Sequence, residues 1–228
     1  MKPFTVFIPV YNEESLIVPN TGRLMAFLDG LGTPYEILIG SNGSTDGTVE
    51  LGGMLQKKHP HVKFFHIDEK GPGTAFRRAI DLARYDHIIS ADMDLSVDMT
   101  FIRRANELLG EFDLVVGSKR MGTQHRSFLR KFASAWFVFC CMILLGMSFD
   151  DYSLAAKGYR KKVLEGCKDG IRGGTFYVIE VLYHASRNNF ATALIPAPCH
   201  DTRQSKFNLT HEGFYRFGRL FKLWMTTK

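Results

Sequence analysis

Short apolar segments alternate with longer segments of mixed polarity along the first half of the chain. The apolar segments are rich in β-branched and aromatic residues and have no helical period, which is typical of buried parallel strands. They predict strands at residues 4–10, 35–40, 62–67, 87–95 and 113–117. The segments between them predict helices at residues 15–31, 49–59, 75–84 and 99–111, with Asn12 as a possible cap of the first. This alternation predicts an α/β fold, with a mostly parallel central sheet flanked by helices.

Polar residues follow three of the predicted strands. Tyr11 follows the first strand, the segment 41–44 follows the second, and an Asp-x-Asp pair, Asp92 and Asp94, closes the fourth. Because the carboxyl ends of parallel strands lie at the same edge of a sheet, these residues are expected to open on one crevice. Its size would suit a nucleotide.

The Asp92 and Asp94 pair has two interpretations. In an extended strand, side chains two residues apart point the same way, so the two carboxylates would repel each other unless a positive charge lay between them. Mg²⁺ is usually held by one or two carboxylates together with substrate phosphate oxygens. The pair is therefore either a metal–diphosphate site or a pair of exposed loop acids.

Composition and charge narrow the class of protein. A chain of 228 residues with 45% apolar residues suits one domain with a large core. The net charge is +6, and basic residues cluster at 119–131 and from residue 203 onward. Such clusters suit phosphate groups or an anionic membrane surface, and nucleic acid is not expected because no nucleic-acid motif accompanies them. The four cysteines lack C-x-x-C spacing and no signal peptide is visible, which favours a cytoplasmic address.

Two later segments have an apolar character. Residues 132–149 contain no charge but many small and polar interruptions, which favours a helix apolar all round, in the core or on a membrane surface, over a membrane span. Aromatic residues recur at helical spacing from Phe214 to Trp224, which predicts an amphipathic helix. We expect one catalytic domain at 1–206, and a basic amphipathic helix at 207–228 that either docks on this domain or contacts a membrane surface.

The motifs taken together resemble those of the family-2 glycosyltransferases, and among them the dolichyl-phosphate mannose and glucose synthase group. The resemblance covers nearly the whole chain and depends on the order and spacing of the motifs. They are IPVYNE at 8–13, NGSTDGT at 42–48, GPGTA at 71–75, DMDL at 92–95, GSK at 117–119, DYSLAAKGY at 151–159 and SK at 205–206. The resemblance implies a glycosyltransferase A-type fold, a nucleotide-diphosphate sugar donor, a divalent metal and inversion at the anomeric carbon.

The resemblance also implies roles for individual residues. Donor binding would involve Pro9, Tyr11, Glu13, Asn42, Gly73, Asp92 and Lys206. Asp92 and Asp94 would hold Mg²⁺ or Mn²⁺ with the diphosphate. The catalytic set would be Asp94, Lys119, Arg130, Asp151 and Arg203. Within that set Lys119 and Arg130 would lie near the transferred sugar and the acceptor phosphate.

The sequence departs from the family pattern at four places. Ser41 and Asn42 replace two aspartates, which leaves the identity of the nucleotide open because Asn both accepts and donates hydrogen bonds. Ser96 replaces a frequent Gln beside the metal. Ala155 and Ala156 replace Gly-Phe on the acceptor side. Arg203 lies three residues after the usual position of a phosphate-binding Arg.

The expected reaction is a single in-line displacement that moves a hexose from a GDP-mannose or UDP-glucose type donor to a polyprenyl or dolichyl phosphate. A lipid phosphate oxygen is already ionised and needs no general base, whereas a hydroxyl acceptor needs one, for which Asp151 is the candidate. We expect the enzyme to be peripheral on the cytosolic face of a membrane, with a membrane-anchoring subunit as an open possibility. The alternatives are a soluble glycan or lipid-linked sugar as acceptor, and a non-catalytic nucleotide-sugar binding protein.

Overall fold

A seven-stranded sheet runs through the centre of the protein. The structure is a computed structural model that describes residues 1–119, 128–149, 151–152, 154–199 and 209–227, without the side chains of 128–133 and 209–212. The strands are β1 (Phe4–Val10), β2 (Tyr35–Asn42), β3 (Val62–Ile67), β4 (His87–Ser90), β5 (Leu114–Ser118), β6 (Lys157–Arg160) and β7 (Thr192–Pro196). Their order across the sheet is β3-β2-β1-β4-β6-β5-β7. Only β6 runs antiparallel to its neighbours, β4 and β5, so the predicted α/β fold with a mostly parallel sheet is confirmed.

Helices cover both faces of this sheet. They are α1 (Glu14–Asp29), α2 (Thr48–Lys58), α3 (Pro72–Leu82), α4 (Thr100–Leu108), α5 (Phe128–Leu145), α6 (Lys161–Cys167), α7 (Tyr177–Arg187) and α8 (Leu209–Thr226). One hydrophobic cluster packs residues of α1, α2 and α4 against one face of the sheet. The other packs α3, α5, α6, α7 and Leu220 of α8 against the other face, around Phe76 and Tyr159. The two-sided cover explains why the central strands are apolar along their whole length.

The fourth strand is shorter than the sequence indicates. It ends at Ser90, whereas the sequence prediction carried it to residue 95. The next residues form a turn in which the Leu95 amide donates to the Asp92 carbonyl at 3.1 Å, and Leu95 has φ +50°. The alternation of a strand therefore does not orient Asp92 and Asp94, and that part of the sequence argument is wrong.

Strand β6 was not predicted. It contains four residues, and it inserts between β4 and β5 with Lys157 opposite Ser90 and Val116. This insertion carries the segment that follows Asp151 into the middle of the sheet. It thereby brings the second half of the chain beside the strand that precedes the Asp-x-Asp pair.

Helix α5 has large apolar side chains on both its buried and its exposed surface, as the sequence predicted. Phe137, Cys141 and Leu145 are buried, because this stripe packs on the core. The outer surface of the same helix carries exposed large apolar side chains, namely Trp136, Phe139, Met142 and Ile143. Within the described residues no helix has both the length and the hydropathy that a membrane span requires.

Helix α8 docks against α5 with one face and leaves the other face open. Leu220 is 1% exposed, and the ring of Phe217 meets the ring of Phe137 edge-on at a centroid distance of 5.2 Å. In contrast, Phe214 is 80% exposed, and Phe221 and Met225 are also exposed. The outer faces of α5 and α8 therefore each present large apolar side chains to the surroundings.

Candidate active site

The loops after β1, β2 and β4 meet at one edge of the sheet. The three strands are parallel, with Val10 beside Ser41 and Phe7 beside Ser90 in register. The Ala91 amide donates to the Phe7 carbonyl at 3.0 Å, which extends this pairing to the start of the Asp-x-Asp turn. The predicted convergence of the three loops is therefore confirmed.

Asn12 joins the first two of these loops. Its backbone amide donates to Ser44 Oγ at 3.1 Å, and its Oδ1 accepts from the Thr45 amide at 2.8 Å. Asn12 adopts φ +53°, a conformation that Asn tolerates better than most residues. The first residue before α1 is Glu13, and it makes no side-chain cap, so the expectation that Asn12 caps this helix is wrong.

The predicted donor residues Tyr11 and Glu13 lie on the first loop, Pro9 lies near the end of β1, and all three are partly exposed. The Glu13 amide donates to Thr48 Oγ1 at 2.8 Å, which ties this loop to the start of α2. Lys70 Nζ lies 3.8 Å from the centroid of the Tyr11 ring, within the range of a cation–π contact. Lys70 was not singled out from the sequence, although it directly precedes the GPGTA motif.

Asn42 is buried and bridges three loops. Its Nδ2 donates to the Val10 carbonyl at 2.8 Å, while its Oδ1 accepts from the Gly71 amide at 3.2 Å. An ionised Asp at this position has no proton to donate to the Val10 carbonyl. The departure from the family pattern at residue 42 therefore changes how the loops are held together.

Gly73 packs against a different part of the chain, the backbone of residues 172–174. Its amide donates to the Gly173 carbonyl at 2.9 Å. A Cβ at Gly73 would overlap the carbonyl oxygen of Arg172. Close backbone approach is the physical reason for glycine at this position.

Asp92 and Asp94 lie in the turn after β4 and are both partly exposed. Asn20 Nδ2 donates to the Met93 carbonyl at 2.9 Å, and the Ser96 amide donates to Asp94 Oδ1 at 3.0 Å, so the turn is fixed from two sides. A leucine at positive φ is uncommon, and the Leu95 conformation indicates backbone strain directly beside the pair.

The donor set fits a divalent metal that is shared with a substrate. Two carboxylates fall short of a complete protein cage, and no group of three or more His, Cys, Asp or Glu side chains suited to a metal occurs among the described residues. Mg²⁺ and similar ions complete such a partial set with phosphate oxygens and water. Asp92 and Asp94 would therefore hold the ion only together with the diphosphate.

The structure describes some of the residues predicted on the acceptor side. Lys119, at the end of β5, and Asp151 are each 8% exposed. Arg130 lies in the first turn of α5, where only the backbone is described, and Ser134 on the same helix is exposed. Arg203 and Lys206 lie outside the described residues.

Lys157 is a site residue that the sequence analysis missed. It is fully buried on β6, and its Nζ donates to the Leu154 carbonyl. Its ammonium interacts with the carboxylates of Asp151 and Asp92, and it is repelled by Lys119 and Arg216. Burial lowers the pKa of Lys157 from 10.5 to about 8, an effect that the Asp151 and Asp92 charges oppose. The available signal is the lysine inside the motif at 151–159.

Comparison with known proteins places this site in a family. A sequence model of glycosyl transferase family 2 matches residues 5–168. Glycosyltransferase AglD of Haloferax volcanii is 26% identical to this chain over 231 residues, which cover 96% of the chain and 36% of AglD. The chain therefore spans about a third of the length of this curated relative.

Solved structures share the fold. Glucosyl-3-phosphoglycerate synthase from Mycobacterium tuberculosis, in complex with Mn²⁺ and UDP-glucose, has a TM-score of 0.69 at 15% identity, covering 98% of this chain and 79% of that one. S. aureus TarS 1–349 has a TM-score of 0.61 at 18% identity, covering 98% of this chain and 64% of that one. The expected glycosyltransferase A-type fold is thereby confirmed.

The replacement Lys157→Met should change how stability depends on pH. The folded protein releases the Lys157 proton near pH 8 and the unfolded chain near 10.5, so the unfolded chain binds more protons between these values. The free energy of unfolding of the wild type should therefore rise relative to that of the variant across this window, by on the order of 3 kcal/mol. Urea unfolding of both proteins at several pH values measures the difference between their free energies of unfolding. The titrations of tyrosines and cysteines are common to both proteins and cancel in this difference. A constant difference across the window would contradict a buried, charged Lys157.

Proposed function

The chain belongs to glycosyl transferase family 2, and we propose that it transfers a hexose, with inversion, from a nucleotide-diphosphate sugar to a polyprenyl phosphate. The observation that carries this proposal is the convergence of the Asp92–Asp94 turn with the loops after β1 and β2 at one sheet edge. In open α/β sheets, ligands bind outside the carboxyl ends of the strands. The Mn²⁺ and UDP-glucose in the M. tuberculosis neighbour support a donor of this class.

The donor would lie along this edge. Its base and ribose would contact Pro9, Tyr11, Glu13 and Asn42, with Gly73 shaping the neighbouring loop. Lys206, beyond the described residues, would approach the diphosphate. Asn42 already hydrogen-bonds the Val10 carbonyl and the Gly71 amide, so it does not by itself select a base, and the nucleotide stays open between UDP and GDP.

The reaction we propose is one in-line step. An acceptor oxygen attacks the anomeric carbon while the bond from that carbon to the diphosphate oxygen breaks, so the nucleoside diphosphate leaves with the bonding electrons. When bound, Mg²⁺ or Mn²⁺ supplies Lewis-acid neutralisation of the charge on the leaving diphosphate. Asp92 and Asp94 would hold the metal ion beside the diphosphate. Lys119 adds positive potential from the acceptor side.

Two acceptor classes make different demands on Asp151. A polyprenyl phosphate brings an ionised oxygen and needs no base, and Arg130 and Arg203 would neutralise its charge. A hydroxyl acceptor would transfer its proton to a base, the role open to Asp151. Asp151 is buried and interacts with the Lys157 ammonium, which favours a charge-balancing role and hence the phosphate acceptor.

The exposed apolar faces of α5 and α8 support a peripheral position on the cytosolic face of a membrane. Single exposed apolar residues are ordinary, but α5 and α8 contact each other and each exposes several large ones, which together we call the apolar patch. An amphipathic helix of this kind inserts its apolar face at the lipid boundary. A membrane-anchoring subunit that covers the same patch is the alternative partner.

A soluble acceptor is the second candidate. The M. tuberculosis neighbour is a glucosyl-3-phosphoglycerate synthase, so the same fold serves a small soluble phosphate compound there. Ala155 and Ala156 would shape the acceptor wall differently from Gly-Phe in either case. The presence of both Asp92 and Asp94 argues against a protein that only binds nucleotide sugars.

The replacement Asp94→Asn should abolish turnover while the fold persists, because the amide cannot balance the metal charge. Incubation with labelled UDP-glucose or GDP-mannose, Mn²⁺ and dolichyl phosphate should give an organic-extractable product with the wild type, and at least about 100-fold less with the variant. Asp169→Asn, an exposed acid far along the chain, is the matched control and should retain full activity. A variant with most of its activity would contradict the metal assignment, and product in the aqueous phase alone would contradict the lipid acceptor.

The replacement Phe214→Asp should weaken vesicle binding. Phe214 is 80% exposed, and burial of a Phe side chain contributes about 1.5–3 kcal/mol, so co-sedimentation with phosphatidylserine-containing vesicles should require roughly tenfold more lipid or beyond. Met54→Asp is the control, since Met54 is 57% exposed on α2, away from the patch. Equal vesicle binding by Phe214→Asp and the wild type, or none by the wild type, would contradict the membrane contact.

A further inference from the structure

Helix α8 is tied to α7 by a largely buried ion pair. Arg219 Nη2 donates to Glu180 Oε1 at 2.7 Å, and the two side chains are only 19% and 10% exposed. The guanidinium carbon of Arg219 also lies 5.8 Å from the centroid of the Phe176 ring. A charge-assisted hydrogen bond shielded from water is among the stronger polar contacts in a protein. Arg219 therefore fixes α8 at one defined point.

The same carboxylate holds a second segment. Glu180 Oε2 accepts from the backbone amide of Arg172 at 2.9 Å. The two oxygens of Glu180 thus connect α8 with the start of the 172–174 segment. Loss of Arg219 would leave Glu180 with one of its two charge-stabilising partners.

The 172–174 segment in turn packs directly on the Gly71–Gly73 loop. The Gly73 amide donates to the Gly173 carbonyl at 2.9 Å, and a Cβ at Gly71 would lie 2.6 Å from the same oxygen. Backbone meets backbone here, and a Cβ at Gly173 would lie 2.7 Å from Thr74 Oγ1. Close-packed contacts of this kind transmit displacement, because they leave little room for either segment to move alone.

The Gly71–Gly73 loop then reaches the proposed donor site. The Gly71 amide donates to Asn42 Oδ1 at 3.2 Å, and Asn42 Nδ2 donates to the Val10 carbonyl at 2.8 Å. Direct contacts therefore run without interruption from Arg219 on α8 to the loops that follow β1 and β2.

We propose that Arg219 is a positioning residue for the donor site: through Glu180 it holds the 172–174 segment against the Gly71–Gly73 loop, so the seating of α8 sets the affinity for the nucleotide. The identification of this edge as a donor site rests on the proposed function. The mechanical connection, which is the series of contacts from Arg219 to the loops after β1 and β2, does not. A chain of contacts alone does not establish coupling, so the test must measure energy or protection at the far end.

The test uses the full chain with Arg219→Met. Affinity for UDP and for GDP, each with Mn²⁺ and without acceptor, is measured by calorimetry, and amide hydrogen exchange is measured across residues 71–76. We expect nucleotide affinity to fall about tenfold and exchange at 71–76 to accelerate, because the 172–174 segment is no longer held against the Gly71–Gly73 loop. Lys222→Met removes the same charge from an exposed position on α8, and it should change neither quantity.

Three further variants separate positioning from general damage. Arg219→Lys keeps the charge and one contact, so it should recover part of the lost affinity. Glu180→Gln should reproduce the loss of nucleotide affinity. The double variant Glu180→Gln with Arg219→Met should lose no more affinity than the weaker-binding single variant, because both replacements remove the same ion pair. These variants also keep the test decisive if Arg219→Met does not fold.

The proposal would be overturned if Arg219→Met and Glu180→Gln bound nucleotide as the wild type does with unchanged exchange at 71–76, or if exchange accelerated only within α8. A loss equal to that of Lys222→Met would likewise overturn it, since charge alone would then explain the effect. If the wild type bound neither nucleotide, the proposed function would fall, and the exchange measurement would still decide the mechanical connection.

Discussion

Balance of the negative charge carried by the turn after β4 is the constraint on which the candidate site depends. Asp92 and Asp94 lie within one turn, and the buried ammonium of Lys157 interacts with the carboxylates of Asp92 and Asp151. Such a group of acids is stable only if positive charge balances it. The protein meets part of this need with the buried Lys157, and the proposed metal would meet the rest when the diphosphate binds. The incomplete ligand set and the buried lysine are two consequences of the same requirement.

The antiparallel strand β6 makes this balance possible. Strand β6 lies between β4 and β5 and sets Lys157 opposite Ser90, the last residue of β4 before the Asp-x-Asp turn. The cost is the burial of an ammonium group, visible in the lowered pKa of Lys157. Burial beside two carboxylates limits this cost, which is why a lysine is tolerated in the centre of the sheet.

The sequence predicted the parts of the structure that depend on local pattern and parallel topology. The strand at 62–67 has the predicted bounds, and the convergence of the three loops followed from the shared edge of parallel strands. The errors involve partners far along the chain. Asn12 is of a residue type that often caps helices, but its side chain accepts a hydrogen bond from Thr45, 33 residues away. Strand β6 is four residues long and begins Lys-Gly, so no alternation marks it.

Two further features could not be predicted from the sequence, for equally physical reasons. In α5 nearly every residue is apolar, so the sequence has no contrast by which to tell the buried stripe of Phe137 and Cys141 from the exposed one. Strand β4 was extended to residue 95 because the Asp-x-Asp pattern alternates like a strand, although the chain turns there. The residue roles carried over from the family resemblance stay predictions, including those of Arg203 and Lys206 beyond the described residues.

The most direct test of the central claim is a thermal-shift measurement with UDP and GDP, with and without Mn²⁺, on the wild type and on Asp92→Asn. Binding to the folded state stabilises it by RT ln(1 + [L]/Kd) and therefore raises the melting temperature. The account predicts that at least one nucleotide raises the melting temperature of the wild type, and that it does so only when Mn²⁺ is present. No such shift is expected for Asp92→Asn. An equal shift without metal, or an undiminished shift in the variant, would contradict a metal–diphosphate site at the end of β4.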